Sequence, residues 1–511
     1  METTNSHHVN TDNLLQRSLR GVAAERIDPA AVAFYAGLEA IGGVSPTVAE
    51  SIVSELRDQR SNVKLIASEN YSSLAVQLAQ GNLFTDKYAE GYPGHRFYAG
   101  CDNVDDIENE AAALARSLFG TDYAYVQPHS GADANLVAYF AILSATVEGP
   151  ALERLGQTNP SAVGADDWEQ VRRAFMGQRL LGMDYYSGGH LTHGYRHNMS
   201  SLIFEAHTYT VDRETSLLDY DAIRQQAREV KPRILLAGYS AYSRKINFAR
   251  LREIADEVGA TFMVDMAHFA GLVAGKVFTG DYDPVQHAQV VTTTTHKTLR
   301  GPRGGMVLST AEFAPAIEKG CPLVLGGPLP HAIAAKAVAL REAQRPEFSE
   351  YAQQVVANAQ QLAEELMKRN GVVATGGTDN HLLLLDVAAS YHLTGRQAES
   401  ALRSCGLTLN RNSLPFDVNG PWYTSGLRLG TPAVTTLGMG QDEMVEIADI
   451  VATVLKNVTP VTVTGKDGAT KQSQAKFDLP EKVAAAARDR VQQLLSRYPL
   501  YPEIDLSLVY G

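Results

Sequence analysis

Residues 290–305 read VVTTTTHKTLRGPRGG. A run of valines and threonines, branched at Cβ and stiff at χ1, predicts a strand. The run stops at His296 and Lys297, then enters a loop with Arg300, Arg303 and several glycines. In open α/β sheets ligands collect at the carboxyl ends of strands. A lysine standing there is a candidate nucleophilic amine, able to form a Schiff base with an aldehyde. A solvated loop lysine is the alternative, because lysines are mostly exposed.

The neighbouring segments repeat the pattern. DYAYVQPHSG reads as a strand entering a turn, and ADANLVAYFAILSA as the helix that follows. RILLAGYSAY and ATFMVDMAH read as strands, with the helix FARLREIADEVG between them ending at Gly259. Alternating strands and helices, several strands apolar throughout, predict an α/β fold with a mostly parallel sheet between helices. After about Gly327 the texture changes. A helix from His331 to about Glu342, a second over YAQQVVANAQQLAEELMKRNG, a strand in DNHLLLLDV and a helix capped by Thr394 predict a smaller C-terminal α+β domain. The expected division is an N-terminal arm and helix over 1–60, with the arm loose to about residue 30 and the helix over 46–60. A large domain follows over 61–335, and a small one over 336–511. Segments 144–178 and 459–476, rich in turn formers and polar residues, read as surface elaborations.

The totals narrow the function. Among 511 residues, Asp and Glu number 57 against 45 Lys and Arg, a net charge of -12. That balance argues against a general nucleic-acid binder and against an anionic membrane surface. No run of 18 apolar residues predicts a membrane span. The start, METTNSHHVNTDN, lacks an apolar signal core. Three cysteines without a C-x-x-C pair suit a reducing compartment, so the cytoplasm is expected, with no metal site.

Other strand ends and turns supply chemistry. Asp265 leaves the apolar FMVD strand and must pair if buried. A pyridinium nitrogen is such a partner, and pairing would make a pyridoxal ring a better electron sink. A helix cap is the other reading of Asp265. Ser130 and Gly131, opening a helix after QPH, can cradle a phosphate or simply cap that helix. His190 in GGHLTH offers a flat face or a packed core ring. Glu90, within YAEGYPGHRFYAG, can act as an acid or base, or sit in an ordered turn between tyrosines. Arg428, in TSGLRLGTP, matches a carboxylate of substrate or of the chain itself.

These strings closely resemble the serine hydroxymethyltransferase family. VVTTTTHKTLRGPRGG, LIASENYSS, YAEGYPG, SGADAN, GGHLTHG, VDMAHFAGL, GGTDNHLLL and TSGLRLGTP occur in the family's order between about Val63 and Met439. The resemblance implies a fold-type I pyridoxal-phosphate enzyme that interconverts serine plus tetrahydrofolate with glycine plus 5,10-methylenetetrahydrofolate. It implies Lys297 as the Schiff-base lysine, Asp265 as the ring-nitrogen acid, His190 stacked on the ring and His268 beside its phenolic oxygen. Ser130, Gly131, Ser240 and His296 join the cofactor set. Arg428 and Ser68 are implied as carboxylate contacts and Glu90 as the acid–base carboxyl. Asn412, Gly189 and Leu191 fall on the substrate and folate side. Tyr88 and Tyr98 match tyrosines reaching the neighbouring subunit's site, and Gly326 and Gly327 its phosphate contact. A homodimer with shared sites is implied, and a tetramer is left open. Ala132 departs from the pattern, standing where many members carry a phosphate-binding serine. His95 replaces the usual basic residue before Arg96. A folate-independent β-hydroxy amino acid aldolase of the threonine type is the alternative activity on the same scaffold.

Overall fold

A computed structural model describes residues 13–20, 22–23, 25, 27–464 and 470–509. The described chain falls into two compact units, one of 1–63 with 491–511 and one of 64–490. The expected boundary near residue 335 does not coincide with the break between them.

The first unit is more helical than expected. Helices cover Leu14–Leu19, Pro29–Val44 and Pro46–Ser61. The middle one has a start signal, Asp28 before Pro29, and the Asp28 carboxylate accepts from the amides of Ala30 and Ala31 at 2.8 and 2.9 Å. The loose-arm expectation for residues 1–12 lies outside the described residues. It is corrected at Leu14–Leu19, where Asn13 and Gln16 form a reciprocal capping box.

The second unit is built on a seven-stranded sheet. Its strands are β1 (Tyr123–Tyr125), β2 (Arg179–Met183), β3 (Glu205–Tyr209), β4 (Ile234–Gly238), β5 (Thr261–Asp265), β6 (Val290–Thr294) and β7 (Gly305–Ser309). Their order across the sheet is β1-β7-β6-β5-β4-β2-β3. β3, β2, β4, β5 and β6 run parallel, and β7 is antiparallel to both β6 and β1. The central strands β4 to β7 are buried at every position, which is why they read as continuous apolar or threonine runs. Threonine is accommodated in β6 because its hydroxyls are bonded. Thr292 donates to Asn135 Oδ1 at 2.6 Å and Thr294 to the Ala267 carbonyl at 3.1 Å.

Helix α1 (Asp102–Phe119) precedes β1, and α2 (Gly131–Leu143) follows it. Ala134, Val137 and Ala138 of α2 share a buried cluster with Val290 and Val307 of the sheet. The helical run from Gly131 to Arg154 is long and apolar enough to cross a membrane by length and composition, but 61% of its apolar window is buried inside the fold. It is read as a core helix.

A second, four-stranded antiparallel sheet has the order β8-β9-β11-β10. Its strands are β8 (Val372–Val373), β9 (Leu382–Asp386), β10 (Asn410–Asn412) and β11 (Gly426–Gly430). Helix α3 (Pro330–Ala343) packs on α1, while α4 (Pro346–Lys368), with α5 (Gln441–Lys456) against it, accompanies the small sheet. The two expected surface elaborations are structured. Segment 144–178 holds a π-helical turn over Ser144–Glu148 and helices Gly149–Arg154 and Ala165–Met176. The 459–476 segment lies in a hairpin of Thr459–Thr464 and Thr470–Asp478, with residues 465–469 outside the described set.

Candidate active site

The carboxyl ends of β4, β5 and β6 open into a cavity of about 580 Å³. Tyr239 and Ser240 follow β4, Asp265 ends β5, and His296 and Lys297 follow β6; all five line it. Ser130, Gly131 and Ala132 enter from the start of α2, and Asn410, Asn412 and Arg428 from the small sheet. Ser68, Gly189, His190, Leu191 and His268 complete the expected wall, and Arg303 joins it.

Lys297 is held from behind. Asn70 donates to its carbonyl at 2.9 Å and to the Tyr351 hydroxyl at 2.7 Å, while Thr436 donates to Asn70 Oδ1 at 2.7 Å. The chain then turns sharply. Arg300 takes a positive φ of 63° and lays its guanidinium over the Tyr351 ring at 4.6 Å. Burial lowers the Lys297 amine to about 8, against the pull of Asp265, with Arg428 and Arg303 lowering it further.

Asp265 has three donors. His193 Nε2 at 3.1 Å and Asn135 Nδ2 at 2.9 Å meet Oδ2, and the Ala267 amide meets Oδ1 at 3.0 Å. Burial alone would raise this carboxyl. The His193 bond and charge, with His190 and Asn135, hold it below the usual carboxylate range. Asp265 faces the cavity and closes a turn through the Ala267 amide, but the next helix, Ala270–Ala274, starts from Phe269, so the helix-cap reading does not hold. Asn135 also donates to Thr192 Oγ1 at 2.7 Å, and that hydroxyl lies 2.7 Å from His190 Nδ1. Burial pushes His190 down to about 4, so its ring is neutral near pH 7.

His268 is also neutral, driven well below its ordinary value by burial and by Lys297 and Arg428. Its Nδ1 lies 3.1 Å from His381 Nε2, with the rings stacked at 5.4 Å. Arg428 spends two donors on neutral oxygens, Ser240 O at 2.7 Å and Asn410 Oδ1 at 3.2 Å. Burial lowers it to about 10, which leaves it charged at neutral pH and facing the cavity.

These groups fit a pyridoxal phosphate. Ser130 caps α2 through Asp133 N at 3.1 Å, leaving the first turn at the cavity wall. A Cβ on Gly131 would lie 2.7 Å from Thr294 Cγ2, so only glycine allows this approach. His296 lines the same wall, and burial lowers its ring to about 3, so it is neutral there.

Five expected residues are not brought to this cavity. Glu90, Tyr88, Tyr98, Gly326 and Gly327 are absent from its wall. The first three flank the hairpin Gly91–Tyr92/His95–Arg96, where Tyr98 donates to Glu90 Oε2 at 3.4 Å and packs edge-on against Tyr88 at 5.0 Å. Gly327 lies against the Tyr88 ring and accepts from His129 Nε2 at 3.2 Å. Tyr88, Phe97 and Tyr98 are exposed in the single chain.

Comparison with known proteins gives one result. A family model described as "Serine hydroxymethyltransferase" matches residues 42–152 and 160–451. The stretch it skips falls within the 144–178 segment. A Treponema pallidum protein of that name is 58% identical over 494 residues, covering 97% of this chain and 85% of the relative. A Mycolicibacterium smegmatis protein so named is 58% identical over 483 residues, covering 94% and 96%. One from Chlamydia trachomatis serovar D is 51% identical over 497 residues, covering 97% and 99%.

Proposed function

The chain belongs to the serine hydroxymethyltransferase family, and from that premise we propose which of its residues carry the reversible conversion of serine and tetrahydrofolate to glycine and 5,10-methylenetetrahydrofolate. When bound, pyridoxal phosphate supplies an electron sink for the bond broken at the amino acid's Cα. The observation carrying the assignment is the convergence of Lys297, Asp265, Arg428 and the α2 amino terminus on one cavity.

Lys297 would hold the cofactor through its amine, which near 8 exchanges its proton close to neutral pH. Asp265, kept ionised by His193 and Asn135, would hold a proton on the cofactor's ring nitrogen. Neutral His190 and neutral His268, both on the cavity wall, would hold the ring and its oxygen. The Ser130–Gly131 turn takes the phosphate, with Ser240 and His296 nearby. Arg428, anchored by Ser240 and Asn410, turns its remaining donors to the substrate carboxylate, with Ser68 as a second contact. Asn412, Leu191 and Gly189 line the folate side.

Glu90, Tyr88, Tyr98, Gly326 and Gly327 act across a homodimer, in the cavity of the partner. Their exposed aromatic surroundings and distance from the chain's own cavity wall support this. There Glu90 takes and returns the proton of the substrate hydroxyl oxygen. Within residues 64–490 we divide large from small domain near residue 335, since the four-stranded sheet lies wholly beyond it. The protein acts in the cytoplasm.

Borohydride treatment of the cofactor-loaded protein, followed by peptide mass analysis, should fix the cofactor to the peptide containing Lys297. Lys297→Ala should lose that adduct. An undiminished adduct in the variant overturns the assignment. Serine cleavage that proceeds equally well without tetrahydrofolate would favour the aldolase activity.

A further inference from the structure

Lys336, on α3, is 1% exposed and takes no part in the cavity wall. Its ammonium donates to three backbone carbonyls, Val126 O at 2.6 Å, Pro128 O at 2.9 Å and Gly305 O at 2.9 Å. Burying an ammonium costs several kcal/mol unless its donors are met, so three convergent carbonyls mark a site with a purpose. Burial lowers this amine to about 7, and the charges of Glu108 and Asp133 oppose the shift.

The carbonyls belong to two chain segments. Val126 and Pro128 lie between β1 and Ser130. Gly305 opens β7 and closes the loop that began at Lys297. The Gly305 amide also donates to Pro128 O at 2.9 Å. The lysine stem passes under Gly304, where an added Cβ would meet Lys336 Cε at 2.5 Å. One amine therefore joins the segment leading to Ser130, Gly131 and Ala132 with the segment leaving Arg303, and all four of those residues face the cavity.

We propose that Lys336 is a positioning residue that holds the Ser130–Ala132 turn in the shape that receives the phosphate of the cofactor. The turn needs such a brace because Ala132 offers no hydroxyl, leaving the O–H of Ser130, whose oxygen accepts from Asp133 N, as the hydroxyl donor of the turn. Backbone geometry then carries more of the phosphate recognition. The inference rests on the functional reading given above.

The test compares pyridoxal phosphate with pyridoxal, which lacks only the phosphate. Both are titrated into the cofactor-free full-length protein and followed by absorbance. For Lys336→Met the dissociation constant for pyridoxal phosphate should rise about tenfold, while that for pyridoxal stays within about twofold. The preference for the phosphorylated form thus falls by about fivefold or more. A smaller fall overturns the proposal, including the case where both ligands weaken together, as a general loosening of the fold would produce. If Lys336→Met does not fold, Lys336→Arg is read by the same ratio, because a planar guanidinium cannot meet the three carbonyls beneath Gly304. A wild-type protein that binds neither compound contradicts the functional reading itself. One that prefers the phosphorylated form, with a variant that keeps the preference, contradicts only the role of Lys336.

Discussion

His193 donates from Nε2 to Oδ2 of Asp265 over 3.1 Å, and both residues are buried. The same oxygen accepts from Asn135 at 2.9 Å. A carboxylate so bound stays ionised where burial alone would neutralise it.

Asp265→Asn keeps the shape and removes the charge. Turnover should fall by about a hundredfold or more, since a fixed charge facing the reacting ring is lost. His193→Phe should have a smaller effect on turnover but lower the thermal midpoint, because a buried carboxylate loses a donor at a cost of about 1–3 kcal/mol. Asp265 is depressed in the folded state, so its contribution to stability is present above about pH 4 and is lost as acid titrates it below that. Denaturant midpoints across pH 2–6 check the sign.

The Lys297 amine near 8 sets a pH dependence for cofactor capture. Below that value most of the amine is protonated and cannot attack a carbonyl. The rate at which cofactor-free protein takes up pyridoxal phosphate should rise about tenfold from pH 7 to pH 9 and then level off. Stopped-flow absorbance measures it, and a flat profile contradicts the assignment.

Arg428→Lys should raise KM for serine by roughly 10- to 100-fold, because a point charge replaces a planar fork. Cofactor absorbance should be unchanged. Steady-state kinetics with varied serine separate the two effects.

Arg96 brackets Glu90. It donates to Ala89 O at 2.9 Å and Gly91 O at 3.0 Å, and pairs with Asp105 at 2.8 Å and Glu108 at 2.7 Å. Arg96→Met leaves Glu108 buried without its cation and should cost about 3 kcal/mol of stability. Arg96→Lys should fold but lose folate-dependent turnover by about tenfold, since the three donors of one ammonium cannot meet both carbonyls, Asp105 and Glu108 together. Chemical denaturation and turnover assays test the pair.

Much of this site was legible in the chain. β-branched and apolar runs announce β5 and β6, and the polar residues at their ends, Asp265 and Lys297, stand out against them. What escaped were buried polar groups whose partners are remote in sequence. Asn135 sits in the quoted SGADAN and Asn70 in LIASENYSS, but their partners lie 130 and 227 residues away. His381 and Lys336 hide in the same way. The helix Ala165–Met176 was also missed, although Trp168, Val171 and Phe175 recur at helical spacing. Glu90 was legible as chemistry, but nothing in the chain's periodicity signalled that it would lie outside the cavity wall.

The antiparallel seam between β1 and β7 pairs Tyr125 with Val307, residues far apart along the chain. The turn at Ser130 and the amine at Lys297 lie on segments far apart along the chain, and long-range pairing of this kind forms slowly. Yellow colour regained during refolding would therefore clock a late, long-range event rather than early collapse. The coenzyme doubles as a stopwatch for the topology that receives it.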